Sequence, residues 1–219
     1  MDLIYESANN FMKLKDTKYH FVFVQNRKKH EVVLDFCPSD YRHATGLHYV
    51  TDIVMENNPL KLIDSILNKK PAEVTDIKLS KSKKYKEISP WTGSVEERVS
   101  DMRYIENCLD TSEFMRIYKT QSFGSWINAD YFIETYCKEL RAFVYIFIRK
   151  RDESNNYVIV SFFRKKVVFQ GVSTYWMLKE KITDTATVEM YRNPSYKKRL
   201  CIICKVFSFK IKYLIKKSN

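Results

Sequence analysis

Residues 39–56 read SDYRHATGLHYVTDIVME and follow an apolar, strand-like segment at residues 31–36. A proline ends the strand, and Ser39 or Asp40 can cap the first amides of a helix. Apolar residues then recur at helical spacing as far as Val54. The stretch therefore predicts one amphipathic helix directly after a β-strand.

Two histidines of the predicted helix, His43 and His48, are the first candidates for chemistry. At about 100° per residue, His43 lies within about 40° of Leu47 and Val50, which predicts the buried face. His48 is rotated by about 140° from His43 and is predicted on the outer face. In one straight helix the two cannot serve one small site, so we take His43 as the candidate. The alternative is a core histidine whose ring bonds a neighbouring carbonyl.

Helical patterns dominate the first half of the chain and strand patterns the second. An aromatic hairpin with a longer loop is predicted from residues 19–24 and 31–36. Residues 143–148, FVYIFI, are continuously apolar and predict a central strand covered on both faces. This order predicts an α+β fold with N-terminal helices packed on a mainly antiparallel sheet, formed largely by the C-terminal half.

We expect one domain over residues 1–187 and a basic extension over residues 188–219. The extension alternates Lys or Arg with apolar residues. That pattern fits an added edge strand whose lysines oppose aggregation, and it also fits an arm that binds nucleic acid.

The chain of 219 residues carries a net charge of +12, from 38 Lys and Arg against 26 Asp and Glu. Such an excess favours a polyanionic partner, RNA or DNA, through phosphate neutralisation. A soluble, basic surface without such a partner is an equal alternative. The lysine-rich residues 69–87 are either a loop that contacts phosphate or a solvated connection.

Several classes of protein are excluded by missing patterns. The sequence has no phosphate-binding glycine loop, no zinc-protease motif and no serine-hydrolase motif. Cys201 and Cys204 form a single C-x-x-C pair with no second pair to complete a zinc site. We therefore expect no metal and no cofactor. We also expect no secretory signal and no membrane span, which predicts a cytoplasmic protein.

The segment YRHATGLHYVTDI, residues 41–53, resembles the H-L-x-G-L-x-x-L-x-D-I helix of a phage-associated family in the Barnase–EndoU–colicin–RelE nuclease superfamily. Further segments occur in that family's order: the aromatic hairpin, IKLS at residues 77–80, a helix with Arg98, FVYIFI, the S-F-F strand at residues 161–163, and STYWMLKEKIT at residues 173–183. The resemblance covers roughly residues 1–185.

The resemblance implies a small α+β nuclease of phages or other mobile elements that cleaves RNA without a metal, as a toxin or effector. His43 matches the helix histidine, Ser161 the serine of the S-F-F strand, and Arg98 the helix arginine. Ala44 and Thr45 depart from the family's pattern. Such departures leave open an inert relative that binds and inhibits a host or phage system, and an antitoxin or host protein is a possible partner.

The predicted site combines this match for His43, Ser161 and Arg98 with the aromatic and basic residues read from the sequence. His43 is the acid or base, Ser161 and Tyr175 donate hydrogen bonds at the scissile phosphate, and Arg98 or a loop lysine neutralises charge. The predicted RNA-binding residues are Lys78, Lys81, Lys83, Lys84 and Trp176. Each has a plainer alternative: Arg98 as a surface ion-pair residue, Ser161 as a small core residue, and one of Tyr175 and Trp176 facing the core, since neighbouring strand residues point to opposite sides.

Overall fold

The computed structural model describes residues 2–69, 72–119, 127–152 and 154–197. Seven α-helices lie in these ranges: α1 (Leu3–Met12), α2 (Tyr41–Thr45), α3 (Pro59–Leu67), α4 (Asp76–Leu79), α5 (Lys83–Lys86), α6 (Val95–Asp101) and α7 (Ile105–Asp110). The same ranges contain nine strands: β1 (Lys18–Gln25), β2 (Lys28–Leu34), β3 (Phe114–Tyr118), β4 (Tyr131–Cys137), β5 (Ala142–Lys150), β6 (Tyr157–Arg164), β7 (Gly171–Ser173), β8 (Tyr175–Ile182) and β9 (Thr187–Arg192).

These strands form one sheet in the order β7-β3-β4-β5-β6-β2-β1-β8-β9. Described neighbours pair antiparallel, except that β2 and β6 meet in parallel at Leu34 and Tyr157. The N-terminal hairpin is thus inserted between strands from the C-terminal half. The prediction of an α+β fold with N-terminal helices on a mainly antiparallel sheet is confirmed.

The central strand β5 is covered on both faces, as its continuous apolar run predicts. Val144 and Ile146 point into the main core, to which α1, α3, α6 and α7 also contribute. Tyr145 and Phe147 point the other way, into a smaller aromatic cluster. Alternation along a strand places successive side chains on opposite faces, so two cores can form only if both faces are apolar.

A β-bulge in β6 sets the direction of Ser161. Phe147 pairs with Ser161 while Ile148 pairs with Ile159, which leaves Val160 as an extra residue between the two pairs. The extra residue of a bulge shifts the alternation of side chains by one position, so the residues after it point to the opposite face from the one expected. Ser161 therefore shares the face of Phe147, on the side of the aromatic cluster, and not the face of Ile159.

The predicted hairpin exists, but its loop is shorter than expected. β1 runs to Gln25 and β2 begins at Lys28, so that Asn26 and Arg27 alone form the turn. Both have positive φ, 49° and 63°. This backbone matches the twist of a two-residue hairpin turn, in which asparagine is well tolerated. The prediction of a longer loop was wrong because the polar residues after the turn belong to β2.

The C-terminal part of the described chain ends at one edge of the sheet, where β9 pairs with β8. Residues 198–219, including Cys201 and Cys204, lie outside the described residues, and the division at residue 187 stays a prediction. Within the described ranges, no helix combines the length and the apolar character needed to cross a membrane.

Candidate active site at the end of helix α2

The helix predicted over residues 39–56 is interrupted. A 3-10 turn, Pro38–Asp40, leads into α2, which ends at Thr45, and a second 3-10 turn covers Leu47–Tyr49. Between them, Gly46 has a φ of 79°, in the left-handed region. A glycine in this conformation terminates a helix because it lacks the Cβ that would clash. The prediction of one straight helix is therefore wrong.

This break brings the two histidines into contact. The ring centroids of His43 and His48 lie 4.7 Å apart, and the Tyr49 ring lies 3.9 Å from that of His48. His43 is exposed, not buried as predicted, and His48 is partly buried. The expectation that the two cannot share a site is wrong because the chain turns at Gly46.

Arg98, on α6, connects α2 to β6. Its side chain is 3% exposed. Its Nη2 donates to the carbonyl oxygens of Ala44 at 3.1 Å and His43 at 3.5 Å, and to Ser161 Oγ at 2.8 Å. The last carbonyls of a helix have no partner within the helix. Arg98 thus satisfies the end of α2 and fixes it beside Ser161.

The charge of Arg98 has no counterion in the described part of the chain, where no carboxylate lies within 4.0 Å of it. Asp101, one turn later, is instead bonded by Arg164 at 2.7 and 2.8 Å. Burial lowers the pKa of Arg98 to about 10, so the guanidinium remains protonated at neutral pH. A buried cation without a counterion is unfavourable. Arg98 is therefore not a surface ion-pair residue, and its environment suits an anionic ligand.

A cavity of about 420 Å³ opens beside these groups, lined by His43, His48, Tyr49, Arg98, Arg149 and Ser161 among others. Arg151 also lines it, but Asp35 at 2.7 Å and Asp40 at 3.0 Å compensate its charge. Arg149 has no ion pair within the described ranges. Although the exposed Asp152 lies at the same cavity, Arg98 and Arg149 supply uncompensated positive charge.

Both imidazoles are neutral at pH 7. Although the His43 side chain is exposed, partial desolvation by the atoms around the cavity, followed by the charges of Arg42 and Arg149, lowers its pKa, and Asp40 opposes this. Burial also lowers the pKa of His48 to about 4. His48 Nδ1 donates to the Arg42 carbonyl oxygen at 3.3 Å. This bond holds the proton on Nδ1 and leaves Nε2 as the basic nitrogen.

The family is decided by a match along most of the chain. The family model described as phage-Barnase-EndoU-ColicinE5/D-RelE like nuclease4 (PBECR4) matches residues 3–193. The chain belongs to this nuclease family. No curated protein and no solved structure matches it. The resemblance to a phage-associated family of this superfamily is confirmed, and the match continues beyond residue 185 through β9.

In this PBECR4 chain, Tyr175 and Trp176 are placed away from the histidines. Tyr175 is 77% exposed and lines a different cavity, of about 510 Å³, with Trp176. Trp176 is largely buried and packs edge-to-face on Phe21, with ring centroids 5.3 Å apart. The reason is topological, because β2 and β1 lie between β6 and β8. As expected for neighbouring strand residues, one of the two faces the core.

The sequence predicts four RNA-binding lysines: Lys78, Lys81, Lys83 and Lys84. They do not lie in one open loop, because α4 and α5 occupy this stretch. Asp52 accepts from the amides of Lys83 at 2.7 Å and Lys84 at 3.1 Å, which anchors α5. None of the four lines the His43 cavity. Lys84 lines an adjoining cavity and pairs with Glu87 at 2.7 Å.

Sequence reasoning set His48 aside as lying on the outer face of the helix, and it missed Tyr49 and Arg149. One signal was present, since Gly46 follows α2 where a terminating glycine is common. Arg149 gives no such signal, because it stands near the end of a strand among other basic residues. Among the described residues, no three His, Cys, Asp or Glu side chains are grouped to hold a metal ion.

Proposed function

We propose that this PBECR4 nuclease cleaves RNA without a metal ion, with the ribose 2′-OH as the nucleophile. The observation that carries the proposal is buried Arg98, bonded to Ser161 at 2.8 Å and without a described carboxylate within 4.0 Å, in one cavity with His43 and His48. The cavity thus contains a cation for the phosphate, a hydroxyl group and two imidazoles for proton transfer.

The scissile phosphate binds at Arg98 and Ser161. Ser161 Oγ accepts a hydrogen bond from Arg98, so its own proton remains to be donated to a phosphate oxygen. Arg149 adds a second positive charge on the same cavity. Fixed donors of this kind stabilise the charge that develops as the phosphorus becomes five-coordinate.

Proton transfer is assigned to His43. Its neutral imidazole takes the proton of the 2′-OH as that oxygen attacks phosphorus, and the bond from phosphorus to the 5′ oxygen breaks. The imidazole pair returns a proton to the leaving 5′ oxygen. The products are a 2′,3′-cyclic phosphate and a free 5′-OH, and no proton is gained or lost overall.

The test uses purified protein and short RNA oligonucleotides in the presence of EDTA. We expect wild type to cleave and to leave 2′,3′-cyclic phosphate ends. A single 2′-deoxy substitution at the cut site should abolish cleavage there. His43→Ala should lower the rate by about 100-fold or more, the usual contribution of an acid–base group. His20→Gln, on β1 outside the cavity, is the matched control.

Other results would contradict the proposal. Cleavage of the deoxy-substituted site, or loss of cleavage with EDTA alone, would exclude the 2′-OH mechanism or its metal independence. If wild type and His43→Ala show the same background, the alternative of an inert inhibitor gains support. Stoichiometric inhibition of a partner that survives His43→Ala and Ser161→Ala would then establish it.

We also propose a role as a toxin or effector. Induced in bacteria, wild type should arrest growth and produce discrete RNA fragments, whereas His43→Ala should do neither. Equal arrest by both proteins would mean that toxicity does not depend on cleavage through His43.

A further inference from the structure

Asp40 lies directly before α2, three residues before His43, and its side chain is buried. Residues three apart in a helical turn are neighbours on one face. Both residues line the same cavity. We propose that Asp40 is a positioning residue for the acid–base chemistry of His43, and that Arg151 controls how strongly the Asp40 carboxylate acts on the imidazole. The inference rests on the proposed function and deepens it.

Arg151 joins the end of β2 to the start of α2. Its Nη1 donates to Asp40 Oδ1 at 3.0 Å, and its Nη2 donates to Asp40 Oδ2. Its Nε donates to Asp35 Oδ1 at 2.7 Å. A guanidinium bonded through two nitrogens fixes both the distance and the plane of a carboxylate, which the ammonium of a lysine does not. These bonds therefore hold the Asp40 carboxylate beside the first turn of α2.

Positive charge dominates the surroundings of His43. In the described ranges, the other charged or titratable groups around it are Arg42, His48, Tyr49, Arg98, Arg149 and Asp152. An opposite charge nearby stabilises the protonated form of an imidazole. Asp152 is exposed, so water screens its charge. Asp40 is therefore the buried carboxylate that stabilises the imidazolium formed when His43 takes the proton of the 2′-OH.

The bond to Arg151 limits the effect of Asp40 on His43. A guanidinium in direct contact offsets much of the field that a carboxylate exerts on a third group, because the two charges have opposite sign. Asp35 bonds the same guanidinium, but it follows β2 and does not line the cavity. The two carboxylates thus share one partner and differ in their position relative to His43, which makes Asp35 a matched control for Asp40.

The test follows the NMR signal of the His43 Cε1 proton as the full chain is titrated with pH, without RNA. His43→Ala identifies this signal among those of the four histidines. Arg151→Met should raise the midpoint of the titration by about 0.5 to 1 pH unit, because the Asp40 charge at about 6 Å is then uncompensated. Asp40→Asn should lower the midpoint. Arg151→Lys, which keeps the charge, and Asp35→Asn should both leave it near that of wild type.

The same change should appear in the kinetics of RNA cleavage. The acid limb of kcat/KM reports the protonation of the base in the free enzyme, so it should move with the NMR midpoint. Asp40→Asn should lower kcat about tenfold with little change in KM, because Asp40 stabilises the imidazolium and not the bound RNA. In the Asp40→Asn background, Arg151→Met should produce no further shift of the midpoint.

The outcomes separate this inference from the proposed function. If wild type cleaves RNA but Asp40→Asn leaves the His43 midpoint unchanged, the role of Asp40 is wrong and the nuclease stands. If wild type cleaves no RNA, the proposed function fails, and the titration still decides whether Asp40 acts on the imidazole. An equal shift by Arg151→Met with and without Asp40 would overturn the role of Arg151. If Arg151→Met does not fold, Asp40→Asn is compared with Asp35→Asn, since Arg151 keeps one counterion in each.

Discussion

Arg98 holds a buried positive charge that no described carboxylate neutralises, so its energetics depend on what enters the cavity. A bound anion supplies the missing counterion and stabilises the folded state that binds it. Arg98 was indicated by the family resemblance alone, because one arginine after two glutamates is usually a surface residue. The burial of Arg98 and the absence of a described carboxylate partner depend on its contacts with α2 and β6. These two elements are distant from Arg98 in sequence, so the sequence could not reveal the contacts.

Inorganic phosphate should therefore stabilise the wild-type protein. Once phosphate exceeds its dissociation constant, the free energy of unfolding should rise by about 1.4 kcal/mol for each tenfold increase in concentration. Arg98→Met should remove this increment. Arg103→Met, which removes a guanidinium paired with Glu6 at 3.0 Å, should keep it. Urea unfolding at several phosphate concentrations measures the effect, and an equal increment in Arg98→Met would exclude Arg98 as the anion site.

His48 should make stability depend on pH. Its pKa is about 4 in the folded protein and near 6.5 in the unfolded chain, so the unfolded chain binds more protons between these values. Stability should therefore fall as pH decreases from about 6.5 to 4, by no more than about 3 kcal/mol. His48→Asn, which keeps a donor for the Arg42 carbonyl, should remove this part of the dependence.

The measurement is urea unfolding of both proteins at pH 4.5, 5.5 and 6.5. Carboxylates also lose stability toward acid, so only the difference between wild type and His48→Asn reports on the histidine. A constant difference across this range would contradict the predicted shift in pKa.

Among the secondary-structure elements, the short helix α2 and its terminating glycine, Gly46, determine the geometry of the candidate active site. Gly46 combines a φ of 79° with close packing, since a Cβ there would lie 2.6 Å from Arg98 Nη1. The helical pattern of residues 39–56 was read correctly as far as Thr45. The pattern could not reveal that Arg98 would take over the carbonyls at the end of α2, because that contact spans more than fifty residues of sequence.

Gly46→Ala should therefore affect activity more than stability. The left-handed backbone should cost about 1–2 kcal/mol of unfolding free energy. The displaced guanidinium should reduce kcat/KM for RNA at least about tenfold, because misplaced groups lose much of their catalytic effect. Asn26→Ala, also at positive φ but in the β1–β2 turn, should lose stability without losing activity. Full activity in a destabilised Gly46→Ala protein would show that Gly46 serves the backbone alone.

The strand β6 shows a second limit of sequence reasoning. The run YVIVSFF is almost wholly apolar, so no alternation marks the faces. Only the pairing with β5 shows that Val160 is extra and that Ser161 turns toward Arg98. The strand itself was predictable, and the direction of its serine was not.

For the whole molecule, the net charge of +12 is consistent with a nuclease family, but it does not locate a ligand. Of the four described Lys and Arg side chains that line the His43 cavity and the cavity adjoining it, Arg151 and Lys84 are paired with carboxylates, whereas Arg98 and Arg149 are not. The positive charges left to attract an anionic ligand are those of Arg98 and Arg149, which pair with no carboxylate among the described residues. Composition records the sum of charges, whereas pairing depends on the fold.

RNA affinity should fall with salt according to the phosphates that are contacted. In the His43→Ala background, each phosphate contact on a single strand should add about −0.7 to the slope of log affinity against log salt. Arg149→Gln should make the slope shallower by about 0.7, whereas Arg103→Gln should leave it unchanged. Fluorescence anisotropy over a range of salt concentrations measures this. An unchanged slope in Arg149→Gln would remove Arg149 from the phosphate site.

The order of the strands has a consequence for synthesis of the protein. β1 pairs with β8, and His20 bonds Glu180 at 2.9 Å across 160 residues of chain. At about 5–20 residues per second, translation needs roughly 8–32 s to pass from one to the other. Throughout that time the hairpin has made no pairs with β8, and β6 is itself a late product. His43, Arg98 and Ser161 thus cannot meet in one cavity until β6 has been translated, late in the synthesis of the described chain.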